Sequence, residues 1–166
     1  MNQQEIFNGL WIITKEKQVA CKDEVETVDK KHLTEKGALQ LKAGIYNVAV
    51  AAGLISGIDG AIELMRKRFK NLICHFPELA THYHSLSEEE QGLMEVALYP
   101  EVFMRTNFYK TYATDLAEAE KNGDPQKIFK ARMKKDVLDE ILNLWRNFRV
   151  KNDLFVFAFE DREGLV

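Results

Sequence analysis

The sequence predicts a mainly α protein: a single-domain helical bundle around a central apolar helix (about 35–55), with a small sheet pairing the N- and C-terminal strands. Three observations carry that expectation. Ala43 to Ile58, AGIYNVAVAAGLISGI, contains no charged residue. Read as a helix it is apolar on all sides, so other helices or lipid must surround it. Two later stretches, 61–76 and 125–149, repeat their apolar residues at the three-four spacing of one-sided helices. Leu10 to Thr14 and Leu154 to Phe159 break that period with β-branched and aromatic residues, the composition of strands.

Composition narrows the class. With 46% apolar and 30% charged residues the chain reads as an ordinary soluble globular protein. Its 166 residues fit one domain. A chain of that length buries roughly 70% of its unfolded surface and needs no disulfide or metal to fold. The net charge of −3 argues against nucleic acid or an anionic membrane as the main partner. Cys21 and Cys74 form no paired framework, and the N-terminus shows no secretory signal. A reducing, cytoplasmic location is therefore expected. The uncharged stretch falls short of the about 20 apolar residues that a membrane span needs, so it reads as a core helix.

The elements follow in order. Residues 2–14 read two ways: Ile6, Phe7, Leu10, Trp11 and Ile13 make a helical stripe that Asn8-Gly9 interrupts, and Leu10 to Thr14 suits a strand. Lys22 to Lys36 is strongly charged and reads as a surface connection or short exposed helix. Thr34-Glu35 then opens the central helix as an N-cap. Ser56-Gly57-Ile58-Asp59-Gly60 is a break, and Ser56 or Asp59 caps a helix over 61–76 that Pro77 ends. Ser87-Glu88-Glu89-Glu90 is a capping box that starts a helix of about ten residues, to Leu98. Pro100 marks the first position of the next helix, to about Lys121, closed by Asn122-Gly123. Asp124-Pro125 opens the last, with Phe129, Met133, Val137, Leu138, Ile141, Leu142, Trp145 and Phe148 in one inward stripe. Leu154 to Phe159 alternates phenylalanine with aliphatic residues, and a strand there needs a partner for its backbone groups. Leu10 to Thr14 is the candidate.

Three sets of residues could carry function. Residues 74–84 gather Cys74, His75, Glu78, His82 and His84, the thiol, imidazole and carboxylate groups that a zinc-like ion prefers. All of these ligands are local, and the spacing matches no zinc signature. Arg66, Lys67, Arg68 and Lys70 lie on the helix after Val48 to Leu54, in an arrangement like a helix-turn-helix. Asp59 and Glu63 occupy the start of that helix, where acidic groups repel phosphate. Aromatic residues concentrate between Tyr99 and Tyr112, where Phe108 and Tyr109 are adjacent and cannot both point inward. One of that pair is expected to be available to a partner, with Glu88, Glu89, Glu90, Asp115, Glu118 and Glu120 as acidic rim.

A serine elbow, a phosphate-cradling glycine loop, HExxH and a dinucleotide fingerprint are all absent from the sequence. The expectation is a non-catalytic protein-binding module, of adaptor, regulator or toxin-neutralising type, working without a cofactor. The alternatives are a helix-turn-helix-like nucleic-acid binder and a metal-dependent enzyme using the 74–84 corner.

Overall fold

The computed structural model describes residues 1–27, 33–50 and 60–155, together with 157 and 159. It is mainly helical, as expected. The first helix, α1 (Gln3–Thr27), absorbs the stretch expected as a strand. Asn2 caps it by accepting from the Glu5 backbone N–H at 2.9 Å. Ile6, Leu10, Thr14, Gln18 and Cys21 are buried at helical spacing along one face. That long stripe outweighs the weak strand preference of the four β-branched and aromatic residues Trp11 to Thr14. Gly9 does not interrupt the helix. A Cβ there would overlap the Phe148 ring, so glycine lets α1 lie close against the last helix.

In α2 (Leu33–Val48) and the two residues after it, Ala43, Ile45, Tyr46, Ala49 and Val50 are buried, whereas Gly44 and Asn47 are exposed. The described part of the uncharged stretch therefore has a wet face. Residues 51–59, with Ala52, Gly53 and the Ser56–Asp59 caps, lie outside the described residues. Contacts run from α2 to α1 and to α7 (Pro125–Lys151). The Gln18 amide donates to the Asn47 side chain, and the Tyr46 hydroxyl donates to Glu140 Oε1 at 2.6 Å.

Gly60, at φ 79°, precedes α3 (Ala61–Leu72), which runs on through a 3-10 turn, Ile73–His75. Its stripe of Ala61, Met65, Phe69 and Ile73 is buried, against α5 (Glu88–Met104) more than against α2. Pro77 opens α4 (Pro77–His84), which buries Leu79 and Tyr83. Ser87 caps α5 as its box predicts, accepting from the Glu90 N–H at 3.2 Å while its hydroxyl donates to Glu90 Oε1 at 3.0 Å.

Pro100 starts no helix. It lies inside α5, within Met94–Val102, the longest run of buried residues among those described. Proline removes one helical hydrogen bond, and packing against α1, α3 and α7 holds the helix through it. Among the described residues α5 holds the longest buried run, and the second half of the uncharged stretch lies outside them. A π-helical turn, Arg105–Tyr109, joins α5 to α6 (Lys110–Asn122). Gly123, at φ 74°, ends α6, and Asp124 with Pro125 opens α7, as expected.

The stripe of α7 holds for Val137, Leu138, Ile141, Leu142 and Trp145, but Phe129 is 53% exposed. α1 and α7 run antiparallel, since Gly9 meets Phe148 and Trp145 Nε1 donates to Thr14 Oγ1 at 2.8 Å. After Asn152 the chain turns back: the Leu154 N–H reaches Arg149 O at 2.8 Å and the Asp153 N–H reaches Val150 O at 3.2 Å. The two bonds make a Schellman cap with Asp153 in its left-handed position, at φ 54°. Leu154 is then buried, and Phe155, Phe157 and Phe159 pack against the core. The expected terminal sheet does not form among the described residues, because its first strand is helix and its second runs without strand pairing. No helix among the described residues is long and apolar enough to cross a membrane.

Candidate functional site

Two carboxylates are buried on α5, Glu95 at 1% and Glu101 at 3% exposure. A buried charge has to be paired, and each is met by arginine. Arg66 Nε lies 3.2 Å from Glu95 Oε2, and the Tyr83 hydroxyl donates to the other oxygen at 3.4 Å. Glu101 binds two cations at once: Arg149 Nη2 at 2.7 Å on Oε1, and Arg105 Nε at 2.8 Å on Oε2. Arg149 is fully buried, and its Nε and Nη1 meet no hydrogen-bond partner among the described residues.

Arg105 is the first residue of the π turn. Its guanidinium carbon sits 5.2 Å from the Tyr109 ring centroid and 4.7 Å from that of Phe159, within the range of cation–π attraction. Phe159 packs edge-on against Phe76 (5.4 Å, 83°) and Phe157 (5.1 Å, 78°). Lys135 Nζ lies 5.3 Å from the Tyr109 centroid.

The same turn builds a row of rings. Tyr99, Phe103, Phe108 and Tyr112 follow one another with centroids 5.9, 6.3 and 6.0 Å apart. The middle step is five residues. In an α-helix five residues advance about 500°, which would throw Phe108 to another face. A π turn brings i and i+5 together, so the wide turn sets Phe108 next to Phe103. Tyr99 is buried, whereas Phe103, Phe108 and Tyr112 are each half-buried. Burial pushes the Tyr112 phenol up, and Asp115 nearby adds to the push.

Of the adjacent pair Phe108 and Tyr109, Tyr109 is buried under Arg105 and Lys135, while Phe108 joins the row. Glu88, Glu89 and Glu90 are exposed in the first turn of α5, and Glu90 serves the cap. Glu88 and Glu89 also line an open cleft of about 850 Å³ with residues 1–4, Arg66 and Leu93. Asp115 and Glu118 are exposed on α6, and Glu120 pairs with Arg132 at 3.3 Å.

His75, Glu78, His82 and His84 are all exposed, as is Cys74, whose thiol donates to Asn71 O at 3.2 Å. Among the described residues no three His, Cys, Asp or Glu side chains come together as a metal would require. The basic set divides. Arg66 is tied to Glu95, and Arg68 stands beside the Tyr99 phenol, easing the upward push of burial on its pKa. Lys67 and Lys70 face solvent.

Glu95, Glu101, Arg105 and Arg149 are the residues that sequence reasoning missed. A signal existed for Arg149, which continues the stripe of Leu142 and Trp145 at helical spacing and so places a charge on an apolar face. No protein-family model, curated protein or solved structure matches the chain.

Proposed function

We propose that the chain is a non-catalytic protein-binding module that docks a partner through the aromatic row at the junction of α5 and α6. The observation that supports this reading is the contiguity of Phe103, Phe108 and Tyr112: neighbouring rings, part exposed, on a helix held through a π turn. Preordered aromatic rings give large contact area at low entropic cost, which is the chemistry of interface hot spots. Asp115 and Glu118, on the same helix as Tyr112, are the rim charges, and they favour encounter with a basic partner. Glu88 to Glu90 begin 15 residues before Phe103, roughly 22 Å along α5. They belong to a different surface.

Affinity capture from the native host tests the reading. The parent chain is expected to recover one stoichiometric protein, and a Phe108→Ser/Tyr112→Ser variant to lose it while still folding and unfolding cooperatively. Loss of two hot-spot rings weakens binding by at least about thirtyfold. Capture undiminished in the variant would rule out the row, and turnover of a metabolite by the purified chain would rule out a binding module.

A further inference from the structure

Arg66 is gripped through its Nε. That atom meets Glu95 Oε2 at 3.2 Å, and the carboxylate is itself buried, with the Tyr83 hydroxyl on its other oxygen. A guanidinium is a rigid planar fork, so fixing Nε also fixes the edge formed by Nη1 and Nη2. Arg66 lines the open cleft of about 850 Å³ between α1, α3 and α5, a volume in the range of small-molecule sites.

Gly92 brings a second donor to the same place. A Cβ on it would stand 2.5 Å from Gln3 Nε2 and 3.6 Å from Arg66 Nη2. With no Cβ there, the Gln3 amide settles over α5 beside the guanidinium. Two N–H groups, one charged and one neutral, thus converge over one buried glycine, and both side chains line the cleft. An anchored arginine edge with a neighbouring donor matches the two oxygens of a carboxylate.

The acidic lining selects among anions. Glu88 and Glu89 line the same cleft and are exposed, while Glu95 already offsets the charge of Arg66. A phosphate or a dicarboxylate meets repulsion there, whereas a carboxylate that carries its own cation does not. Glu88 precedes Gly92 by four residues, which puts it on the same face of α5, about 6 Å back along the axis. In an α-amino acid the carboxylate and ammonium stand about 3 Å apart, and each charge-assisted bond adds about 2.8 Å. Those lengths span one helical turn. Ile62 and Leu93 add apolar lining.

We propose that this cleft binds a free α-amino acid with an apolar side chain. Its carboxylate lies on Arg66 and Gln3, its ammonium on the Glu88–Glu89 pair, and its side chain on Ile62 and Leu93. The site is separate from Phe103, Phe108 and Tyr112, and the inference stands without docking through that row.

Calorimetric titration of the full chain tests it, with L-leucine and L-phenylalanine as probes, each beside its amide and its N-acetyl derivative. At least one free amino acid is expected to bind with a Kd of about 1 mM or tighter. Its amide, which lacks the carboxylate, and its N-acetyl form, which lacks the ammonium, should each bind at least about tenfold more weakly. Gly92→Ala pushes aside only the flexible end of Gln3, so the chain should stay folded and lose about threefold to tenfold in affinity. Glu88→Gln/Glu89→Gln leaves the Ser87–Glu90 cap in place. It should weaken the free amino acid at least about tenfold and leave the N-acetyl form unchanged. A merely structural role for the two glutamates would not separate those ligands. Failure of both amino acids to bind overturns the proposal, as does equal binding of free and derivative forms. Binding of inorganic phosphate in their place overturns it too, because the cleft would then be a simple anion site.

Discussion

Glu95 and Glu101 are both buried carboxylates on one helix, yet their cations differ in what they could do if abandoned. The Arg66 side chain keeps 39% of its surface exposed and can rehydrate; that of Arg149 keeps none. Glu95→Gln is therefore expected to cost about 1 kcal/mol, and Glu101→Gln about 3–5 kcal/mol, because it strands a buried guanidinium. Urea midpoints give the order, and equal losses would mean that Arg149 finds another partner or reaches water. Gly9 makes a second residue-scale case. Gly9→Ala gains about 1 kcal/mol of helix propensity but forces a methyl into the Phe148 ring, an overpacking cost of about 1–3 kcal/mol. In a Phe148→Leu background that cost falls away, and Gly9→Ala should become neutral or stabilising. A double-mutant cycle reads the coupling directly, and zero coupling would refute the contact.

At the scale of elements, what the sequence made legible was mostly ends. The Ser87–Glu90 box, the Asp124-Pro125 start, the Gly123 stop and the role of Pro77 all appear where their chemistry predicts. Such signals are local: a side chain satisfies an amide two or three residues away. Interiors were harder. Leu10 to Thr14 has strand composition, but whether Ile6 to Cys21 forms one stripe depends on helices far along the chain. Pro100 looks like a start because its missing donor is harmless there, and only packing on several sides of α5 reveals it as an interior residue. The candidate site shares this limit. Phe108 and Tyr109 stood out by composition, yet the five-residue step that aligns Phe103 with Phe108 is a property of the turn. The end of α7 was not legible either, since its cap places aspartate where glycine is usual. Asp153→Gly should relieve that position and stabilise the fold by about 0.5–1 kcal/mol. A lowered melting temperature would show that the aspartate side chain contributes something glycine cannot.

Among the described residues, the titratable groups whose pKa is displaced are all displaced upward. Burial is the leading cause that raises the Cys21 thiol and the Tyr46, Tyr83, Tyr99 and Tyr112 phenols above their ordinary values of 9.0 and 10.0. Burial pushes the Lys135 ammonium down, but Asp139 beside it pushes further up, so its pKa also ends raised. In each case the folded chain keeps a proton that the unfolded chain releases. Stability from these groups is therefore complete below about pH 9 and declines as pH rises through the raised folded values. Tyr46 is the most strongly raised, by burial first and then by its bond to Glu140, and it ties α2 to α7. Tyr46→Phe is expected to lose about 1 kcal/mol at pH 8, the worth of one hydrogen bond. Glu140, at 44% exposure, takes water in place of the phenol. The same variant should lose less than the parent between pH 8 and pH 11, because one of the groups that resists ionisation has gone. Urea midpoints of both chains at the two pH values decide it. Equal alkaline losses would mean that Tyr46 is not held neutral at the α2–α7 seam, and that alkaline unfolding begins at another of these buried groups.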